Sequence, residues 1–188
     1  MTIDEMTSKL KNELLEKRFI HSIGVMEMAV KMAQHYGADV KKAQIAGLLH
    51  DCAKNLSKEE LFEKCELYNI ELDDVMRISH GLVHGLVGAE IAKREYGVED
   101  EEIYDAIYYH TVGKPGMSLL TQIIYIADAI EENRVYDGVE RIRTLAFENI
   151  DRALVSQIDS TIKSVLSKGG MLHTATVNTR NYYLRKIR

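Results

Sequence analysis

The chain has 188 residues, 46% of them hydrophobic and 28% charged, with a net charge of −5. This length and apolar content suit one domain with a sizeable core, and the acidic balance argues against the basic face that non-specific nucleic-acid binding needs. No apolar run is long enough to span a bilayer, and residues 1–10 are polar without a signal-peptide core, so a cytoplasmic protein that does not use the membrane is expected.

Helical periodicity dominates the chain and alternating β-branched runs are absent, so the expected fold class is all-α. A first helix is read over Ile3–Glu16, running into or breaking before a second that ends at Tyr36, where Gly37 stops it. The next spans about Val40–Ala53. Ser57-Lys58-Glu59-Glu60 is a capping box that opens a helix to about Tyr68. A short helix near Asp73–Ile78 follows, then one over His80–Tyr96 closed by Gly97, and another over Glu99–His110. Thr111 to Gly116 contains two glycines and Pro115, the chain's one proline, and is a loop. Met117–Glu131, Val139–Phe147 and Asn149–Ser167 complete the set before Gly169-Gly170. The tail Met171–Arg188 is basic and poorly periodic; its Arg180, Arg185, Lys186 and Arg188 could touch a partner, a nucleotide or nothing, with no contact as the default expectation. No linker divides the chain, so residues 1–188 are expected to form a single domain, with a motif-bearing core at about 17–146. Cys52 and Cys65 form no C-x-x-C pair and are read as reduced, buried thiols.

The chemically informative residues are polar side chains on buried helical faces. His21 lies four residues before Val25 and seven before Met28, on the apolar stripe of its helix. His50 and Asp51 end the run Ile45-Ala46-Gly47-Leu48-Leu49. His110 shares a face with Ile103, Ala106 and Ile107, and Asp128 lies among Leu120, Ile124 and Ala127. Burying one such group is costly unless it is paired or bound to a metal. A lone histidine on an apolar face is usually a satisfied core residue. Several, from different helices and with two aspartates among them, are explained together by a metal centre inside a helical bundle. Adjacent helical residues point about 100° apart, so His50 and Asp51 share a metal only at a helix end or by embracing it from two sides. Mixed imidazole and carboxylate ligands suit Fe, Mn, Zn or Co better than Ca or Mg.

The ordered set His21, His50-Asp51, His84, His110, Asp128 resembles the HD-domain metallophosphohydrolase superfamily. The segments Leu48-Leu49-His50-Asp51-Cys52-Ala53-Lys54 and His110-Thr111-Val112-Gly113-Lys114-Pro115-Gly116-Met117 narrow the resemblance to its YqeK-type branch, the symmetrical bis(5′-nucleosyl)-tetraphosphatases. That resemblance implies an HD-domain helical bundle with a binuclear site, most simply di-iron, with Mn or Co as alternatives. It implies that His21, His50, Asp51 and Asp128 hold one metal and that Asp51, His84 and His110 hold the other, with Asp51 bridging. The implied substrate is diadenosine tetraphosphate, cleaved to two ADP by a metal-activated water.

Asp51 and Lys54 are the expected catalytic residues. Arg18, His80, Thr111, Gly113, Lys114 and Arg134 are expected substrate contacts: the cations for phosphates, the loop for its backbone N–H groups, and His80 because it lies one turn before His84. Three rivals remain open at this point: another HD phosphohydrolase acting on nucleoside monophosphates, dNTPs or alarmones; a mixed-valence di-iron oxygenase using the same six ligands; and a non-catalytic metal- or nucleotide-binding module. The expected partner is a nucleotide, with no nucleic acid or membrane, and a homodimer is the expected alternative to a monomer.

Overall fold

The computed structural model describes residues 1–188 and consists of eleven α-helices with no strand. In chain order they are α1 (Ile3–Glu13), α2 (Glu16–Tyr36), α3 (Val40–Leu49), α4 (Lys58–Tyr68), α5 (Asp74–Ile78), α6 (Val83–Tyr96), α7 (Glu101–Tyr109), α8 (Leu119–Ile130), α9 (Val139–Glu148), α10 (Ile150–Ser167) and α11 (Thr174–Lys186). The helix starts follow the sequence signals. Ser57 and Glu60 close a capping box on α4, and Thr2 and Glu5 close one on α1. Asp39, Asp73, Asp100, Ser118 and Asn149 each accept a backbone N–H at the start of their helices. No helix is long and apolar enough to cross a membrane.

The bundle is built around α2, α3, α7 and α8. The α8 segment Leu120 to Ala127 is buried on every face, as a central helix must be. Two glycines let helices approach closely. A Cβ on Gly47 of α3 would come within 2.8 Å of the Met26 Cα of α2. One on Gly85 of α6 would meet the Tyr108 and Ile107 carbonyls of α7 and the His110 ring at 3.1–3.3 Å. One contiguous core runs from Met6 in α1 to Tyr183 in α11.

Three expectations are corrected. The third helix ends at Leu49 rather than Ala53: residues 50–55 form tight turns, with the Cys52 and Lys54 amides bonded to the Leu49 and Asp51 carbonyls three residues back. His80–Leu82 is a separate 3-10 turn, not the first turn of α6. The tail folds as α11, capped by His173. Its periodicity was illegible because its buried positions are Thr176, Thr179 and Tyr183, two of them threonines.

Candidate metal centre

Four histidines converge on two aspartates from five helices or their ends. His21 comes from the first turns of α2. His50 and Asp51 come from the turn that ends α3. His84 comes from the start of α6, His110 from the end of α7 and Asp128 from α8. Ending α3 at Leu49 is what lets two adjacent side chains face one centre, which a continuing helix would not allow. Asp51 divides the imidazoles into two groups. Its Oδ1 lies 2.9 Å from His84 Nε2 and 3.7 Å from His110 Nε2. Its Oδ2 lies 3.5 Å from His50 Nε2 and 3.7 Å from His21 Nε2. Asp128 Oδ1 joins the second group, 2.9 Å from His21 Nε2 and 3.8 Å from His50 Nε2.

The outward-facing ring nitrogens determine the tautomers. His50, His84 and His110 each donate Nδ1–H to the carbonyl three residues earlier: Gly47 at 2.8 Å, Gly81 at 2.6 Å and Ile107 at 2.6 Å. A carbonyl only accepts, so each neutral ring must carry its proton on Nδ1 and aim an Nε2 lone pair inward. His21 does the same toward the Glu131 carboxylate, 3.1 Å away. Two consequences test whether these residues suit a metal. His84 Nε2 and His110 Nε2, both acceptors, lie 3.0 Å apart. His50 Nε2 is fully buried without a hydrogen-bond partner. Neighbouring lone pairs and an orphaned buried acceptor are costly unless cations lie between them. The set therefore fits metal binding.

The His84 ring agrees, whereas His50, which burial works to lower, is raised overall by the Asp51 and Asp128 carboxylates. Burial pushes the His84 imidazolium down to about 4, so the ring is neutral at neutral pH. Burial works to raise the Asp51 carboxyl, but the His50, His110 and His84 rings outweigh it and hold it well below the usual carboxylate range. Asp128 is likewise held low against its burial, by His21 and then His50.

The centre floors a cleft of about 370 Å³. Arg18, Lys54 and Arg134 line it. Arg18 Nη1 lies 2.6 Å from Asp51 Oδ2, Arg134 Nη2 lies 2.6 Å from Asp128 Oδ1, and Lys54 Nζ lies 3.3 Å from His84 Nε2. Burial lowers the Lys54 ammonium from its ordinary value. Thr111 also lines the cleft and donates its hydroxyl to the Leu82 carbonyl. Three expected contacts do not line it. Lys114 pairs with Asp105 at 2.5 Å and lies over the Tyr109 ring. Gly113 is buried against Thr179 of α11. His80 is exposed at the head of the 3-10 turn, while its neighbours Gly81 and Leu82 line the cleft.

Sequence reasoning missed the residues that support the centre. Tyr125, Tyr136, Gln157 and Thr161 complete the cleft wall, the last two from α10. Gln157 Oε1 accepts from the Tyr136 hydroxyl at 3.0 Å. Arg143 of α9 bonds the carbonyls of Ile130, Glu131 and Arg134, pinning the end of α8 and the turn that carries Arg134. Glu131 is 2% exposed, and its second oxygen accepts both the backbone and side-chain N–H of Asn133. The signal for it was its place in the motif stretch Glu131-Glu132-Asn133-Arg134, just after the helix that carries Asp128. A carboxylate bonded to a ligand histidine orients the ring and raises its basicity. Glu131→Gln is expected to weaken metal affinity by about 10–100-fold, as read by chelator competition; an unchanged affinity would sink this role.

A family model described as HD domain matches residues 18–133. The chain is 41% identical over 184 residues to the symmetrical bis(5′-nucleosyl)-tetraphosphatase of Bacillus subtilis, covering 97% of both chains. It is 39% identical over 175 residues to the protein of the same name from Halalkalibacterium halodurans, covering 93% of both. Among solved structures, that of a predicted HD superfamily hydrolase involved in NAD metabolism from Clostridium acetobutylicum superimposes with a TM-score of 0.96. It is 46% identical, and the match covers 99% of this chain and 98% of that one.

Proposed function

Because the chain belongs to the HD-domain family, and within it to the symmetrical bis(5′-nucleosyl)-tetraphosphatases, we propose that it hydrolyses diadenosine tetraphosphate symmetrically to two ADP. The observation that carries this reading is the inward set of four Nε2 lone pairs around Asp51 and Asp128, at the floor of a cleft walled by three cations. His21, His50, Asp51 and Asp128 would hold one divalent cation, and Asp51, His84 and His110 the other. Such ions supply Lewis-acid chemistry, polarising a phosphoryl group and acidifying water.

The chain's own residues do the rest. Arg18, Lys54 and Arg134 bind the phosphates and offset the charge that builds on the reacting phosphoryl group. Arg134 is held rigid for this by its bond to the Asp128 carbonyl. Gln157 and Thr161 place amide and hydroxyl groups on the α10 wall of the cleft, within reach of a bound substrate. The mixed imidazole and carboxylate set suits iron, which we take as the metal, with manganese and cobalt able to use the same ligands.

The test is product analysis by ion-exchange chromatography. ADP is expected as the sole product from diadenosine tetraphosphate. Chelation should abolish turnover, and added Fe, Mn or Co should restore it. Paired AMP and ATP would refute symmetric cleavage, and turnover unchanged by chelation would refute the metal reading.

A further inference from the structure

The terminal helix α11 lies outside the matched residues 18–133 and contributes no residue to the cleft wall. It nevertheless grips both segments that present the His84 half of the cluster. The first grip is at its N-terminus. His173 Nδ1 accepts the Ala175 N–H at 3.1 Å, so its proton sits on Nε2, which donates to Asp73 Oδ2 at 2.7 Å. The other oxygen of Asp73 caps α5 through the Met76 N–H at 2.8 Å. From α5 the chain passes directly into the 3-10 turn, whose Gly81 carbonyl fixes the His84 ring.

The second grip is farther along the helix. Thr179 packs on Gly113, where a Cβ would come within 2.8 Å of its methyl, and the buried Tyr183 donates to the Met117 carbonyl. These two contacts bracket the loop that follows His110. Thr111, in that loop, ties the two segments together through the Leu82 carbonyl. The bonds that orient His21 and His50 go instead to Glu131 and Gly47.

We propose that α11 is a brace that positions His84 and His110, with His173, Asp73, Thr179 and Gly113 as its positioning residues, and so sets the affinity of one metal position and not the other. The inference rests on the two-metal reading above. Asp73→Asn can keep the cap on Met76 while turning an amide N–H toward the His173 N–H. Gly113→Ala pushes into Thr179 at a position with φ +73°, where a side chain is strained.

The experiment is chelator-competition titration with Mn²⁺ on the full chain, beside a thermal melt for folding and with His84→Ala as the benchmark. In each variant one equivalent should weaken by about tenfold or more while the other holds, and the weakened one should be the equivalent lost in His84→Ala. Equal weakening of both equivalents, or of neither, in a folded variant would overturn the brace. If Gly113→Ala does not fold, Asp73→Asn carries the test alone. A wild-type chain that binds fewer than two equivalents would instead refute the two-metal reading, and the brace with it.

Discussion

Asp51→Asn is expected to lower turnover of diadenosine tetraphosphate by about 10⁴-fold or more, since groups that act as one unit fail together when one is removed. The substitution preserves shape, so the loss would come from chemistry alone. Asp51 is the one side chain whose two oxygens face both groups of imidazoles, His84 and His110 on one side and His21 and His50 on the other. An amide presents an N–H to one group, where it donates to a lone pair aimed inward for a cation. It also removes the negative charge that Arg18 meets at 2.6 Å. Metal content should fall from two equivalents to one or none, measured by elemental analysis of protein purified with metal supplied. Two retained equivalents together with more than a trace of turnover would show that Asp51 does not bridge the halves.

Gly47→Ala is expected to lower the melting temperature by about 2–12 °C, because overpacking costs about 1–3 kcal/mol and each kcal/mol shifts a chain of this size by about 2–4 °C. The new Cβ would lie 2.8 Å from the Met26 Cα, 3.1 Å from its nitrogen and 3.2 Å from the Val25 carbonyl. These are backbone atoms, so no rotamer change relieves the clash and the two helices must separate. The separation reaches the metal centre, since α2 carries His21 and the end of α3 carries His50, and the Gly47 carbonyl holds the His50 ring. Activity should therefore fall along with stability. Gly81→Ala is the stability control, because a Cβ there meets nothing within 4 Å. Equal melting temperatures for Gly47→Ala and wild type, read by calorimetry with metal supplied to both, would refute the close-packing argument.

By itself the sequence determined the helical class, most helix starts and which histidines and aspartates cluster. These depend on local physics. A capping side chain bonds an amide two or three residues away, and an apolar stripe repeats every three to four residues. A histidine or aspartate that breaks such a stripe, as His21 and His110 do, announces a burial cost that something must offset.

The tertiary structure decided what depends on residues far apart in the chain. The end of α3 at Leu49, which turns His50 and Asp51 toward one centre, yields to the fold because the stretch after Leu49 still reads as helix. Lys114 and Gly113 belonged to a motif but face Asp105 and Thr179 instead of the cleft. Glu131, Arg143 and Gln157 act on the site through partners 9 to 110 residues away. The tail became a helix because α10 and the loop after His110 offer its two threonines and Tyr183 a buried surface, which its own composition does not announce. Periodicity and capping record what a residue does to its near neighbours. Which distant side chain meets it is set by how the helices pack, and that is settled only when the whole core closes.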